Sequence, residues 1–512
     1  MSSSHLPEPF ATLFDSASSN IGIAADQIRL LVCLLLSIPL GFIFNHFIYY
    51  KHGKHLFSCT VGLLLAYTVV GTDIIHLFIL STFVYTLLHI ISTSHVSIIV
   101  FILSMSYLSA IHIYRLYTDF LGYKLEVSML LMIAVPKLHM LSCNITDGYM
   151  LNKNQHLHKK PHIQEFRKKY ALYSIPGIIE YYSYILFFPT VLVGPVIPAR
   201  LYFDYCESHI IPNDKLYGLI IALRNAIFTG IMFLVHQSYI PASGYIDSKQ
   251  FLYHTSFLYR LFYINIMGPF CRAKYYLVWY LSQAGCIAAG YGKQTDKSTN
   301  TITWNGSCNA KILLVELAPS FNQVSTYWNI GVSDWLKNYV YLRTTAPKFI
   351  TRYIAERTFN NFVTKATSAF YHGFYLSYYL FFLSMAIVTS ASEIFYTAFE
   401  HYFVVKKKDS ALYIESTPVH EPHHGTQRIK YYIWRVICWV VIYSPLNILG
   451  MAFILLATPP ALELWSSMYY YGHTMSIFVL IVSYAWIMTH KQKHKSVQSN
   501  GTIKQIGNHK EL

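Results

Sequence analysis

Two short stretches decide how this sequence is interpreted: FNQVSTYWNIGVSDWLKNYVYLRTT at residues 321–345 and SAFYHGFYLSYYLFF at residues 368–382. The first places Asn329 directly after Trp328, and the second places His372 among aromatic and apolar side chains. An amide and an imidazole are costly in hydrocarbon, so within a membrane each is a candidate functional residue. The first question is therefore whether the surrounding chain is embedded in a membrane.

The composition indicates a polytopic membrane protein. Of the 512 residues, 54% are hydrophobic and 12% are charged, whereas a soluble domain carries about 25% charged residues. This chain therefore has too little charge to cover a water-facing surface of its size. Because a membrane-spanning helix needs about 20 residues, the apolar runs predict an all-α bundle of roughly 9–11 transmembrane helices.

The apolar runs place the spans along the chain. The predicted spans are 28–50, 56–92, 96–114, 127–143, 175–198, 216–236, 252–270, 275–291, 362–399, 432–458 and 464–489. The second run is too long for one helix, so we expect Asp73 to divide it into a hairpin. Pro189 and Pro195 interrupt the fifth run, a break that is tolerated where the backbone is buried in protein rather than in lipid. His372 lies within the ninth.

Positive charge follows the loops between the apolar runs. The formal net charge is +15, and Lys and Arg concentrate in segments such as 152–169, 404–430 and 491–512. Cytosolic loops of membrane proteins carry this excess, so we predict a cytosolic C-terminus and no nucleic-acid partner. Anionic headgroups or a phosphorylated cosubstrate are the expected partners. We assign 1–26 to a polar lead-in, 27–490 to one membrane domain and 491–512 to a disordered tail.

Several kinds of catalytic centre lack their motifs. The eight cysteines include no C-x-x-C pair, so we expect neither disulfides nor a zinc site. His420, Glu421 and His424 spell H-E-x-x-H, but Pro422 between them opposes the helix that a zinc protease needs. No G-x-S-x-G elbow, Walker loop or dinucleotide glycine pattern occurs. We predict no metal and no bound cofactor.

His372 is the strongest candidate among the histidines in apolar runs. Taken alone, such a histidine is more often a hydrogen-bonded core residue, and we interpret His76, His89 and His236 in that way. His372 differs because Gly373 follows it. Glycine permits the close approach of another backbone or of a substrate.

The upstream stretch has an unusual make-up. Trp328 and Trp335 are seven residues apart, which in a single helix would place them on one face two turns apart. Lys337 and Arg343 follow in a basic, Tyr-rich exit. An interfacial amphipathic helix with an aromatic anchor also explains this segment when it is considered alone.

Together the two stretches resemble the membrane-bound O-acyltransferase family, in particular its lysophospholipid acyltransferase branch. WNIGVSDWLKNYVYLR at 328–343 resembles the family's tryptophan-asparagine motif with its WL…VYxR run. SAFYHGFYLSYY at 368–379 resembles the family's SAFWHG motif. Tyr371 stands where the family usually has tryptophan, an aromatic exchange that we expect to be tolerated.

Two further segments are similar to the phospholipid branch. FPTVLVGPVIP at 188–198 resembles its LVGP segment, and TWNGSCNAKILLVELAPSF at 303–321 resembles its tryptophan-aspartate segment with a following asparagine. Asn305 stands where that aspartate is usual, which puts a role for charge there in doubt. The resemblance covers approximately residues 180–380.

The resemblance implies a helical bundle enclosing a catalytic chamber, with His372 and Asn329 as the catalytic residues. A histidine titrates near neutrality and suits the role of general base. An asparagine amide can orient a thioester carbonyl or stabilise its oxyanion. The predicted substrate-binding residues are Trp328, Trp335, Lys337, Arg343, Tyr371 and Gly373.

The partners follow from the same resemblance: acyl-CoA as cosubstrate, a lysophospholipid and membrane lipids. Lys337, Arg343 and Arg352 are candidate contacts for the CoA phosphates because basic groups suit phosphate recognition. Each is also explained as an ordinary anchor on the positive side of the membrane. We expect the protein to reside in the endoplasmic reticulum membrane.

Two alternatives stay open at this point. One is another O-acyltransferase of the same family that acts on a sterol, a diacylglycerol or a protein. The other is a polytopic transporter with an ion path through Asp73, His89, Glu180 and Arg224. Transporters often carry paired interrupted helices, and this sequence has one strongly interrupted span.

Overall fold

The fold is almost entirely α-helical in the part of the chain that the structure describes. The computed structural model describes residues 6–91, 95–122, 124–208, 214–239, 244–295, 301–403 and 425–507. The helices are α1 Glu8–Ile21, α2 Ala25–Phe47, α3 Lys51–Val70, α4 Ile75–Ile90, α5 Val96–Thr118, α6 Val127–Asn152, α7 Pro161–Tyr170, α8 Ile178–Ile185, α9 Ala199–Glu207, α10 Lys215–Tyr239, α11 Lys249–His254, α12 Phe257–Ala288, α13 Ile312–Glu316, α14 Phe321–Tyr327, α15 Ile330–Trp335, α16 Lys348–Thr351, α17 Glu356–His372, α18 Leu376–Phe403, α19 Thr426–Leu455, α20 Thr458–Ser467 and α21 Tyr471–Gly507.

Four shorter elements complete this description. A 3-10 turn at Gly71–Ile74 separates α3 from α4, and a π-helix at Leu336–Tyr341 continues α15. Strands β1 (Gln294–Thr295) and β2 (Ile302–Thr303) pair antiparallel. The H-E-x-x-H sequence at 420–424 lies outside the described residues.

Eight helical stretches in the described ranges are long and apolar enough to span a membrane. They are Ala25–Phe47, Lys51–Ile90, Val96–Thr118, Val127–Asn152, Lys215–Tyr239, Leu376–Phe403, Arg428–Leu455 and Tyr471–His490. The prediction of an all-α polytopic membrane protein is confirmed. Lys51–Ile90 contains both α3 and α4, so these stretches hold nine helices, within the predicted range of roughly 9–11. The fifth predicted run is broken, and the runs at 252–270 and 275–291 form one helix that is not among the eight stretches.

Some predicted boundaries are wrong. The spans predicted at 252–270 and 275–291 are the single helix α12, which passes through Pro269. Proline is tolerated inside membrane helices when neighbouring groups satisfy the carbonyl that it frees. The last span is preceded by the separate helix α20, and α21 continues to Gly507 through most of the tail that we predicted to be disordered.

The predicted hairpin agrees with contacts made by α8. In α3, Cys59 Sγ lies 3.6 Å from the carbonyl oxygen of Ile179, and the Tyr181 hydroxyl donates to the carbonyl oxygen of Ser81 in α4 over 2.7 Å. Both arms therefore contact the same eight-residue helix. This arrangement requires the chain to turn back between α3 and α4.

The interrupted span is confirmed as non-helical backbone buried in protein. Residues 186–198 follow α8 without a helix, and most of their side chains are buried. The ammonium group of Lys137, fully buried on α6, donates to the carbonyl oxygens of Tyr184 (3.1 Å) and Ile185 (3.3 Å) and to the Thr190 hydroxyl (3.0 Å). The end of a helix leaves such carbonyls without helical partners. Lys137 therefore replaces hydrogen bonds that the interruption removes.

The chain forms two compact units. The first comprises Met1–Ser238, Phe270–Lys311 and Trp328–Phe374, and the second comprises Tyr239–Pro269, Ile312–Tyr327 and Tyr375–Leu512. Within the second unit, Trp434 of α19 stacks on rings of α18, and the Ser384 hydroxyl lies 2.8 Å from His473 Nε2 of α21. All of the predicted site residues lie in the first unit.

Candidate active site

Helix α6 is the buried element on which the candidate site is assembled. Two hydrogen bonds, about one helical turn apart, join α6 to α15 and to the π-helix. Trp335 Nε1 donates to His139 Nδ1 over 3.0 Å, and the Tyr339 hydroxyl donates to Asn144 Oδ1 over 3.1 Å. These bonds fix the register of the WL…VYxR run against α6. Asn144 begins an N-x-[ST] sequon, but with 0% of its surface exposed it is not an accessible glycosylation site.

The next turn of the same interface is a buried ion cluster. The Asp147 carboxylate, which is 0% exposed, accepts two hydrogen bonds from the Arg343 guanidinium (2.6 and 3.0 Å) and others from Arg167 of α7 (2.9 Å from Nε). Removing one partner of a buried pair leaves an uncompensated charge and costs about 3–5 kcal/mol. Arg343, predicted as a phosphate contact, therefore has a structural partner, whereas Lys337 and Arg352 are exposed.

Asn329 occupies a turn that few residue types accept. Its φ of +49° and ψ of +57° lie in the left-handed region, where asparagine is enriched. Trp328 pairs with Ala310 in an isolated β-bridge, and α15 begins after the turn. The prediction that Trp328 and Trp335 share one helical face is therefore wrong.

The two tryptophans pack in different places. The Trp328 ring contacts Trp279 and Tyr276 of α12, with ring centroids 4.9 and 5.3 Å apart. Trp335 instead packs against Tyr371, with ring centroids 5.6 Å apart, and is fully buried. Of these two tryptophans, Trp335 is the one that links the two stretches that decided the interpretation of the sequence.

Asn309 holds the Asn329 turn, although its only distinguishing feature in the sequence is its place in the TWNGSCNAKI segment. Its backbone carbonyl accepts from the Ile330 N–H (2.8 Å), and its Oδ1 accepts from the Gly331 N–H (2.9 Å). Asn309 Nδ2 donates to Asn329 Oδ1 over 3.1 Å. Because the Asn329 oxygen accepts this bond, its amide N–H groups point elsewhere. In the described part of the chain they have no protein acceptor.

Gly331 brings the LVGP segment against α15. A Cβ atom at this position would lie 2.7 Å from the backbone nitrogen of Val196 and 2.9 Å from its carbonyl oxygen. Only a residue without a side chain allows the two backbones to approach so closely. Two segments that were recognised separately in the sequence are therefore direct neighbours beside Asn329.

His372 ends the amphipathic helix α17, which is not among the described helices that are long and apolar enough to span a membrane, contrary to the span predicted at 362–399. The run predicted at 362–399 breaks at Gly373, whose φ is +108°, and α18 begins at Leu376. With 17 residues and a polar, largely exposed first half, α17 is too short and too polar to count among the candidate spans. Burial lowers the pKa of His372 to about 4, and nearby His112 acts in the same direction. The imidazole is therefore neutral at physiological pH.

Tyr371 anchors the residue beside His372. It is 2% exposed, and its hydroxyl donates to the carbonyl oxygen of Met132 on α6 over 2.5 Å. That carbonyl lacks a helical partner because Pro136, four residues on, has no N–H. Tyr371, which stands in place of the usual tryptophan, thus donates a hydrogen bond to the carbonyl that Pro136 leaves unpaired in α6.

His112 of α5 was not a candidate in the sequence, where it lies in an ordinary apolar run. Its Nε2 lies 3.2 Å from the carbonyl oxygen of Tyr371. Its ring carbon Cγ would be 3.3 Å from a Cβ atom added to Gly373. The close approach expected of Gly373 is therefore made by this imidazole.

The residues proposed for a transport path are dispersed. Glu180 pairs with Lys51 (2.8 Å), Arg224 contacts the amide oxygen of its neighbour Asn225 (3.2 Å), and His89 contacts the carbonyl oxygen of Tyr85 (3.0 Å). Within the described ranges these residues do not contact one another or Asp73. In contrast, the two segments that carry Asn329 and His372 are in contact, because Trp335 of α15 packs against Tyr371 beside His372.

The chain is similar to known proteins over most of its length. The model of the membrane-bound O-acyltransferase family matches residues 77–416. Lysophospholipid acyltransferase 2 of Arabidopsis thaliana is 28% identical over 484 residues, covering 92% of this chain and 96% of that protein. The human membrane-bound glycerophospholipid O-acyltransferase 1 is 26% identical over 496 residues, covering 92% of each chain. Lysophospholipid acyltransferase 1 of Arabidopsis thaliana is 28% identical over 395 residues, covering 74% of this chain and 81% of that protein.

Proposed function

Since this chain belongs to the membrane-bound O-acyltransferase family and is an O-acyltransferase, we propose that it transfers a fatty acyl group from acyl-CoA to the free hydroxyl of a lysophospholipid. The observation that carries the acceptor class is the similarity, over nearly the whole chain, to plant and human proteins named for lysophospholipids and glycerophospholipids. The product is a diacyl phospholipid, and free CoA is released.

His372 is the general base of the proposed reaction. Its neutral imidazole takes the proton of the lysophospholipid hydroxyl while that oxygen bonds to the thioester carbonyl carbon. The imidazolium that results is stabilised by the adjacent tetrahedral anion. It then returns the proton to the CoA thiolate as the carbon–sulfur bond breaks. No proton or electron pair is left unassigned in this sequence of steps.

Asn329 supplies the oxyanion donor. Because Asn309 engages the Asn329 oxygen, the Asn329 N–H groups remain available to donate to a developing negative charge. A donor fixed in this way needs little reorganisation when the carbonyl oxygen becomes anionic. The strained left-handed turn is consistent with this role, since such backbone outliers cluster at active sites.

Direct transfer in a ternary complex is favoured over a covalent acyl-enzyme. The sequence has no nucleophile elbow, and the proposed base has a substrate hydroxyl to activate. We further propose that the protein resides in the endoplasmic reticulum membrane with a cytosolic C-terminus, which the basic loops support. Antibody access to a C-terminal tag after selective plasma-membrane permeabilisation tests that orientation.

One assay tests the proposed substrate class. Microsomes containing the protein would receive an unsaturated acyl-CoA and a panel of lysophospholipids differing in headgroup, with a sterol, a diacylglycerol and a peptide in parallel. Mass spectrometry should detect a diacyl phospholipid that is absent from matched microsomes containing His372→Ala. Product formation only from the sterol, diacylglycerol or peptide would contradict the lysophospholipid assignment.

A further inference from the structure

The C-terminus of α17 needs a hydrogen-bond donor from outside the helix. The last four carbonyls of any α-helix lack intrahelical partners, and in α17 these include the carbonyl of Tyr371. Gly373, with φ +108°, turns the chain away, so the following residues do not continue the ladder. His112 Nε2, 3.2 Å from the Tyr371 carbonyl oxygen, is positioned to fill this need.

We propose that His112 is a positioning residue that fixes the imidazole of His372 for acyl transfer; this inference rests on the catalytic role proposed for His372. The peptide unit between Tyr371 and His372 is planar. Holding its carbonyl oxygen therefore fixes the plane that carries the backbone nitrogen and Cα of His372. His112 acts on the reaction through that peptide, and no contact with substrate is required of it.

The second observation is the way that His112 meets Gly373. Its ring would lie 3.3–3.4 Å from a Cβ atom at that position. The imidazole of α5 thus contacts the residues on both sides of His372, the carbonyl before it and the glycine after it. With the Tyr371 hydroxyl bonded to Met132 on α6, the C-terminal turn of α17 is held from two helices.

The chemistry of the contact determines the tautomer. A carbonyl oxygen can only accept, so His112 Nε2 must carry a hydrogen. The side-chain amide nitrogen of glutamine reaches approximately the position of Nε2, whereas that of asparagine reaches approximately the position of Nδ1. Glutamine should therefore retain the bond to the Tyr371 carbonyl, and asparagine should lose it.

The experiment compares purified His112→Gln, His112→Asn and His112→Phe in detergent with acyl-CoA and the best lysophospholipid. Misplacing a catalytic group by about 1 Å can lower the rate by roughly 10²-fold. We expect His112→Asn and His112→Phe to lose kcat on that scale with KM nearly unchanged, and His112→Gln to retain most of the wild-type kcat. His112→Phe keeps a ring packed against Gly373 but has no hydrogen-bond donor. It therefore tests the same loss of the hydrogen bond if His112→Asn does not fold.

Two controls make the outcome specific. His76 of α4 lies 2.9 Å from the hydroxyl of Tyr107, which is on the same helix α5 as His112. Replacing His76 by asparagine or glutamine should leave kcat unchanged. Equal kcat for His112→Gln and His112→Phe, or a change confined to KM, would overturn the inference. His372→Ala in the same series separates the two proposals: if it retains turnover, the proposed function fails, whereas an inactive His372→Ala beside a fully active His112→Phe contradicts only the role of His112.

Discussion

The two ends of the proposed site are held in different ways. Asn329 is held locally by Asn309, a residue 20 positions earlier that bonds its side chain and the two following backbone N–H groups. His372 is held through its neighbour Tyr371, whose partners Met132 and His112 lie 239 and 259 positions away in the sequence. The amide end therefore depends on one turn, and the imidazole end depends on the packing of α5 and α6.

Loss of the imidazole itself should have the largest effect. His372→Ala removes the general base, and such groups contribute about 10²–10⁴-fold to rate. We expect kcat to fall by this factor while the thermal transition of the purified protein stays close to that of wild type. His236→Ala, which removes an α10 imidazole that lies beside Cys271 of α12, serves as the matched control. Comparable kcat values for both variants would refute the assignment.

The Asn329 end of the site should be sensitive to Asn309→Asp, a substitution that keeps the shape of the Asn309 side chain. Asn309→Asp retains an oxygen for the Gly331 N–H but replaces the donor to Asn329 Oδ1 with a second acceptor. The Asn329 amide should then rotate its N–H groups toward Asp and away from substrate. We expect kcat to fall roughly 10-fold or more, as part of the loss that follows removal of an oxyanion donor.

A neighbouring substitution controls for added charge. Asn305 is exposed, four residues before Asn309, and Asn305→Asp restores the aspartate that the family usually carries there. Its kcat should stay near that of wild type. If Asn305→Asp and Asn309→Asp lose the same activity, the added negative charge is responsible and the amide-orientation argument fails.

The hydrogen bond from the Tyr371 hydroxyl to the Met132 carbonyl oxygen can be tested through the thermal stability of the protein. Tyr371→Phe leaves the buried Met132 carbonyl without a donor, which costs about 1–3 kcal/mol. Pro136→Ala supplies a backbone N–H to the same carbonyl. The thermal transition of Tyr371→Phe should therefore be lowered and then partly restored in the double variant with Pro136→Ala. Additive destabilisation in the double variant would show that the Tyr371 hydroxyl and Pro136 are not coupled.

Of these predictions, mild acidification should change the activity least. An unperturbed histidine titrates at about 6.5, whereas burial lowers the pKa of His372 to about 4. The neutral imidazole is the active base, so kcat/KM should stay nearly constant as the pH falls from 8 to about 5.5 and should decrease only below about 5. An acid limb near pH 6.5 in the kcat/KM profile of the free enzyme would contradict the lowered pKa.

Much of the fold could be predicted from local sequence. Low charge and long apolar runs predicted the helical membrane class, and Pro189 and Pro195 predicted the interruption after α8. The end of α17 at His372 was missed because the apolar run continues through Gly373 without a change in composition. The left-handed backbone of that glycine ends α17, and α18 begins three residues later.

The candidate site was predictable only in part. His372 and Asn329 stand in recognisable motifs, but their supporting residues carry no local signal. His112 lies in an ordinary apolar run, and its role depends on a contact 259 positions away. The spacing of Trp328 and Trp335 suggested one helix because helical periodicity cannot reveal the left-handed turn at Asn329.

The central claim is that the amide and the imidazole serve one transition state, and a double-mutant cycle tests it most directly. Single-turnover rates would be measured for wild type, Asn329→Ala, His372→Ala and the double variant. Asn329→Ala should slow the wild type by about 10²–10³-fold. Because residues that act as a unit are not additive, it should slow His372→Ala far less. If Asn329→Ala slows both backgrounds by the same factor, the two groups act independently and the account of a single acyl-transfer centre is contradicted.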